Sequence, residues 1–181
     1  MLQMIRFPSA PTASRDFANL KVLIVDGNKR RRFALDSFLR TEGVMEVNQA
    51  TNATEGLRES LHRRPDLIIL DFDLQDINGV QFAITLRRSE RPDRYARLIM
   101  LGNSDMQGVC GMRDCGIDEF LAKPVNPPDL LRALTSVALH GRDFIETPDY
   151  FGPDRRREPR ESIETNGWPA LLNALMVAAA A

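Results

Sequence analysis

The stretch LIILDFDLQDINGV, residues 67–80, joins an apolar run to two carboxylates, Asp71 and Asp73, and then to Gly79. A short unalternated apolar run is typical of a buried strand in a parallel sheet. The residues after Gly79 have the spacing of a helix. A carboxylate at the end of such a strand acts as a nucleophile, binds a metal ion or caps the next turn, and the rest of the chain decides between these roles.

The pattern of an apolar run followed by a helical segment occurs five times between residues 21 and 141. Strands that alternate with helices predict an α/β fold, with a five-stranded parallel sheet covered by helices on both faces. The predicted strands are residues 21–26, 45–50, 66–71, 96–102 and 118–123, and the predicted helices are residues 28–43, 52–65, 79–90, 104–116 and 126–141.

Composition and charge argue against nucleic-acid-binding and membrane-spanning functions. The 181 residues carry a net charge of −1, which favours neither nucleic acid nor a membrane surface as a partner. No apolar stretch reaches the roughly 18 residues of a membrane span. We therefore expect a cytoplasmic protein. The cysteines, Cys110 and Cys115, lack the spacing of a zinc site and are expected to be free thiols.

The chain divides into three predicted parts: an extension (residues 1–19), one α/β domain (residues 20–141) and a C-terminal tail (residues 142–181). The tail is rich in charge, Pro and Gly and is expected to be largely extended. Its motif YFGPDRRR has no assigned mechanism. Its apolar end, WPALLNALMVAAAA, predicts a short helix that either mediates a homodimer or folds back on its own domain.

Four residues stand at the carboxyl ends of predicted strands: Asp26, Asp71, Gly102 and Lys123. In open parallel sheets ligands bind beyond these ends. Two carboxylates there suit Mg²⁺, and a lysine there can neutralise a phosphoryl group. The alternatives are that each Asp caps the following helix and that Lys123 is a solvated loop residue.

Residues 21–141 resemble the receiver domain of two-component response regulators, the CheY-like family. The motifs that carry the resemblance are VLIVDGN, LIILDFDLQDING, IMLGNS and GIDEFLAKPV. It implies a flavodoxin-like sheet of strand order 2-1-3-4-5. It also implies Asp71 as phospho-acceptor, Lys123 as the catalytic lysine on the phosphoryl group, and Asp26, Asp71 and Asp73 around a Mg²⁺ ion. Gly102 and Phe120 take the switch positions, although Phe120 also fits a plain core residue.

Two residues depart from the family pattern. Gly27 occupies the place of a metal-binding carboxylate, so we expect Mg²⁺ to be held weakly. Gly102 replaces a Ser or Thr whose hydroxyl bonds the phosphoryl group. Three neighbours are candidates for compensation: Asp73 near the metal position, Ser104 beyond Gly102, and Lys29, whose ammonium can stand where the cation sits. The alternative for each is a surface residue with no such role.

The function predicted from the resemblance is an atypical single-domain response regulator in a phosphorelay, not an enzyme. A sensor histidine kinase or phosphotransfer protein supplies the phosphoryl group. The downstream protein binds the face formed by residues 104–116, 118–123 and 126–141. One alternative is a pseudo-receiver that binds its partner without phosphorylation. A remote one is a haloacid-dehalogenase-like phosphatase, because LDFDL imitates its DxD motif.

Overall fold

The computed structural model describes residues 3–5, 17–105 and 114–155, the first of these by its backbone. In chain order its strands and helices are β1 (Gln3–Ile5), β2 (Lys21–Val25), α1 (Lys29–Thr41), β3 (Glu46–Ala50), α2 (Ala53–Arg63), β4 (Leu67–Asp71), α3 (Gly79–Arg88), a 3₁₀ helix (Pro92–Tyr95), β5 (Arg97–Gly102), β6 (Glu119–Ala122), α4 (Pro127–Leu139), β7 (Phe144–Glu146) and β8 (Phe151–Pro153).

The central sheet has the order β3-β2-β4-β5-β6, and each neighbouring pair in it is parallel. This confirms the predicted α/β fold and strand order. Val25 pairs with Leu70, and Gly102 pairs with Ala122, so the carboxyl ends of the strands lie level. The residues that end or follow these strands therefore lie along one edge of the sheet.

Strand β4 is apolar without alternation because both of its faces are covered. Ile68 and Leu70 lie in one buried cluster, with Phe82 of α3. Leu67 and Ile69 lie in a second cluster on the opposite face, which includes residues of α1 and α4. Each residue from Leu67 to Leu70 is fully buried. Transferring such side chains out of water contributes about 1.5–3 kcal/mol each.

Gly79 is required where α3 begins against the end of β4. Its amide donates to the carbonyl of Phe72 at 2.9 Å. A Cβ at this position would lie 2.8 Å from the carbonyl oxygen of Asp71 and 3.0 Å from the Cα of Phe72, and both are backbone atoms that cannot turn aside. Asn78 caps the helix in a capping box with Gln81. The glycine thus allows the loop after Asp71 to be tight.

Asp76, in the same loop, joins it to the first turn of α2. Its carboxylate accepts from the amides of Ala53 and Thr54 at 2.9 and 2.8 Å. Desolvation raises the pKa of Asp76, but these hydrogen bonds outweigh it and hold the pKa well below its ordinary value. The ionised side chain therefore stabilises the positive end of α2.

A second, antiparallel sheet of order β1-β7-β8 includes residues of the predicted tail. Phe144 and Phe151, from its two C-terminal strands, are buried. The division of the chain at residues 19 and 141 stays a prediction. Most of the predicted helix 104–116 and the predicted terminal helix lie outside the described residues, as does Cys110. The thiol of Cys115 is buried.

Within residues 17–105 and 114–155, no helix combines the length with the apolar character that crossing a bilayer requires.

Candidate functional site

The edge of the sheet brings together Asp26, Asp71 and Lys123. Both Asp side chains are 1% exposed, Asp26 directly after β2 and Asp71 at the last position of β4. The Nζ of Lys123, one residue beyond β6, lies 2.5 Å from Oδ1 of Asp71. The structure therefore places Lys123 beside Asp71, as the strand-end positions predict. The chemical roles of these residues stay predictions.

Asp73 completes the acidic side of the site from the loop after β4. Its amide donates to Oδ1 of Asp71 at 3.2 Å, and its carboxylate accepts from Nζ of Lys123 at 3.1 Å. The Asp73 side chain is 55% exposed, in contrast to the two buried acids. Lys123 therefore bridges a buried carboxylate and a solvated one.

Arg31, on the first turn of α1, is the residue that the sequence interpretation missed. Its Nε contacts Oδ2 of Asp26, its Nη2 lies 2.8 Å from Oδ1 of Asp26, and the same Nη2 contacts Oδ2 of Asp71. Hydrogen bonding to Asp26 raises the pKa of Arg31 although burial opposes it, so this side chain is a permanent cation. One guanidinium thus joins both buried carboxylates.

The sequence signal for this contact was weak. The sequence offers Lys29 as an internal cation, but Lys29 is exposed, and the cation in the site is Arg31, two residues further on. Asn28 caps α1 by accepting from the amides of Arg30 and Arg31. Arg32 donates to the carbonyl of Asp26 at 2.6 Å. Of the consecutive arginines at 30–32, helix geometry turns Arg31 toward the acids.

The predicted switch positions contact each other. A Cβ added to Gly102 would lie 2.9 Å from Cε2 of Phe120 and 3.3 Å from Cβ of Phe72. The half-buried Phe120 ring therefore occupies the space that a side chain at position 102 needs. Ser104, considered as a replacement hydroxyl, is exposed.

The carboxylates as arranged do not fit a magnesium ion. Mg²⁺ requires oxygen ligands at about 2.0–2.1 Å in octahedral geometry. Among the described residues no group of three acidic, His or Cys side chains is placed to hold a metal ion. Arg31 stands between Asp26 and Asp71, and Asp73 is paired with Lys123. Binding of Mg²⁺ by Asp26, Asp71 and Asp73 remains a prediction from the resemblance.

A profile of the response regulator receiver domain matches residues 22–135. The chain belongs to this family. A relative, the KDP operon transcriptional regulatory protein KdpE of Escherichia coli (strain K12), is 34% identical over 128 residues, which cover 71% of this chain and 55% of that protein. The chain thus spans about half the length of this relative.

Solved receiver structures are similar to the chain. Chemotaxis response regulator CheY4 of Vibrio cholerae is 28% identical with a TM-score of 0.60, covering 65% of this chain and 98% of that one. The receiver domain of sensor histidine kinase PA1611 from Pseudomonas aeruginosa PAO1, with a magnesium ion coordinated in its active site cleft, is 25% identical with a TM-score of 0.57, covering 64% and 94%.

Family membership establishes the general class of function. The chain contains a receiver domain of two-component signalling. Receiver domains are generally signalling modules rather than enzymes, they interact with sensor histidine kinases or phosphotransfer proteins, and they typically bind Mg²⁺.

Proposed function

We propose that this chain is an atypical receiver in which Asp71 accepts a phosphoryl group and the signal passes to another protein. The observation that supports this most directly is the 2.5 Å contact between Nζ of Lys123 and Oδ1 of the buried Asp71. A cation beside a carboxylate is what a transferred phosphoryl group needs once it arrives. The phosphodonor is a sensor histidine kinase or phosphotransfer protein in the cytoplasm.

The transfer step can be written with acetyl phosphate as donor. An oxygen of Asp71 forms a bond to phosphorus, the bond between phosphorus and the acetyl oxygen breaks, and acetate leaves with the electron pair. To attack, that oxygen must first leave the cation that holds it, Lys123 at Oδ1 or Arg31 at Oδ2. The released cation then faces the oxygens of the new acyl phosphate and stabilises their charge.

The output surface in this proposal comprises β6 and α4; most of the third predicted part of this face, residues 104–116, lies outside the described residues. Phe120, on β6, contacts Gly102 and links the site to that surface. Because Gly102 has no hydroxyl, phosphorylation lacks one charged hydrogen bond of about 1.5–3 kcal/mol. Moving a two-state equilibrium from 1:99 to 99:1 takes about 5.5 kcal/mol. We therefore expect a partial shift of the switch.

A second function, a pseudo-receiver that binds its partner without phosphorylation, is favoured by one observation. Both oxygens of Asp71 already have cationic donors, Lys123 on Oδ1 and Arg31 on Oδ2. In this alternative the closed cluster is structural, and the partner binds the face that contains β6 and α4 whatever the state of Asp71.

The test is incubation of the full chain with acetyl phosphate, followed by intact mass measurement, with Mg²⁺ and separately with EDTA. We expect the mass of one added phosphoryl group, and we expect hydroxylamine, which cleaves acyl phosphates, to remove it. Asp71→Asn should abolish the addition. Asp73→Asn is the matched control, since this exposed neighbour contacts the same lysine but is not the proposed acceptor.

Three outcomes separate the proposals. If phosphoryl addition survives Asp71→Asn and disappears in Asp73→Asn, the acceptor is Asp73 and the proposal is wrong about the carboxylate. Absence of addition under both metal conditions, with the chain folded by circular dichroism, would favour the pseudo-receiver. Addition on Asp71 without any change in the NMR signals of Phe120 would leave the acceptor in place and contradict the route to the output surface.

A further inference from the structure

We propose that Arg31 is a tethered cation that takes the place of the divalent metal ion, so that this acidic site does not bind Mg²⁺. This inference goes beyond the proposed phosphorylation and does not depend on it. Arg31 reaches the site from α1 and contacts both buried carboxylates, Asp26 through two nitrogens and Asp71 through one. A planar guanidinium with several fixed donors suits this task better than an ammonium.

Every carboxylate oxygen of the two buried acids already has a donor. At Asp26, Oδ1 accepts from the amide of Asn28 at 2.7 Å and from Arg31, and Oδ2 accepts from Nε of Arg31. At Asp71, Oδ1 has Lys123 and the amide of Asp73, and Oδ2 has Nη2 of Arg31. A metal ion that binds both buried acids therefore has to displace Arg31.

The charges of the buried part of the site also balance without a metal ion. The two buried carboxylates contribute two negative charges, and Arg31 and Lys123 contribute two positive ones, while the third carboxylate, Asp73, is 55% exposed and its charge is screened by water. Buried charges are costly unless they are paired and hydrogen-bonded, and this cluster satisfies both conditions. Displacing Arg31 would leave its charge unpaired beside an ion of the same sign. The balance therefore opposes Mg²⁺ binding.

Gly27 fits the same interpretation. A Cβ at this position would have the carbonyl oxygen of Thr51 as its nearest contact, at 3.6 Å, which is an ordinary distance. Gly27 is exposed, and a Cβ fits there without a close contact. Without an acid at position 27, the buried carboxylates number two, which Arg31 and Lys123 can neutralise.

The decisive variant restores the acid and removes the arginine: Gly27→Asp combined with Arg31→Gln, in the full chain. Mn²⁺ is the probe, because it takes the same oxygen ligands as Mg²⁺ and broadens nearby NMR signals. In the wild type we expect the amide signals of Asn28 and Asp73 to be unaffected by millimolar Mn²⁺. In the double variant we expect both to broaden, with Mg²⁺ affinity by calorimetry raised by at least about 10–100-fold.

Arg30→Gln, at the exposed neighbouring position, is the matched control and should behave as the wild type. Selective broadening of Asn28 and Asp73 in the wild type would overturn the proposal, and this measurement needs no variant. A double variant that is folded but binds Mg²⁺ no better than the wild type would overturn it too, since Arg31 would then not be what excludes the ion. Neither result depends on whether Asp71 accepts a phosphoryl group.

Discussion

Phe144 attaches the second sheet to the receiver domain, and its replacement should destabilise the chain as a whole. The side chain is 1% exposed. Its ring stacks on Phe151 with centroids 5.4 Å apart and meets Tyr95 edge-on at 5.8 Å. The guanidinium carbons of Arg87 and Arg97 lie 4.9 and 4.7 Å from its centroid. The ring is thus enclosed by two aromatic and two cationic neighbours.

These contacts set the expected magnitudes. Truncating a buried Phe to Ala usually costs about 3–5 kcal/mol, from lost transfer energy and the cavity left behind. Phe144→Leu is the matched control, because it keeps most of the apolar volume and removes the ring. It loses the aromatic and cation–π contacts of the ring, as the Ala variant does, but it leaves a smaller cavity. The Leu variant should therefore be intermediate between the wild type and the Ala variant.

The assay is urea unfolding followed by circular dichroism, with hydrogen exchange as a second readout. We expect one transition with a lower midpoint and an unchanged slope, so that the whole domain loses stability. The reasoning is refuted if Phe144→Ala costs less than about 1 kcal/mol, as a surface substitution does. It is also refuted if amide exchange accelerates in β7 alone and not in β4, since the second sheet would then be an appendage.

Three further predictions concern the edge of the central sheet. Gly102→Ala should displace the Phe120 ring, because the new Cβ would lie 2.9 Å from it. The NMR signals of the ring should shift. The loss in free energy of unfolding should be smaller when Phe120 is also replaced by Ala. Gly79→Ala should cost about 1–3 kcal/mol in urea unfolding, because the new Cβ meets backbone atoms of the loop after β4, whereas Gly27→Ala has room and serves as control. Asp76→Ala should remove a cap of α2 worth about 0.5–2 kcal/mol. Since the folded pKa of Asp76 is lowered, this contribution is present above the ordinary Asp pKa of about 3.9 and is lost as the pH falls below it, so wild type and variant should converge in acid.

The fold and the residues at the edge of the central sheet could be predicted from the sequence, because both depend on patterns that repeat along the chain. Residues 67–70 read as a strand buried on both faces, and the structure buries them on both faces. Parallel strands in register end at one edge, so residues at strand ends such as Asp71 and Lys123 have to meet. Neither inference requires knowledge of where an individual long side chain points.

The role of Arg31 and the second sheet could not be predicted from the sequence, because neither follows from a repeating pattern. Arg30, Arg31 and Arg32 are consecutive on a helix, and their directions depend on the angle at which α1 packs on the sheet. The three-residue strands β7 and β8 are too short to show a periodicity. Phe144 is buried by Arg87, Tyr95 and Arg97, which are distant in sequence. The charge and Pro content of its own segment predicted an extended tail instead.

The replacement of a metal ion by Arg31 changes what phosphorylation does to the site. Transfer to Asp71 converts a carboxylate with one negative charge into an acyl phosphate with about two. A tethered guanidinium cannot be supplemented in the way that an exchangeable ion can, so the added charge has to be met by a cation already present. Lys123 is the candidate, because it now divides its contacts between Asp71 and the solvated Asp73. Phosphorylation should therefore draw Lys123 away from Asp73 and free that loop carboxylate, which makes the loop after β4 a part of the response alongside Phe120.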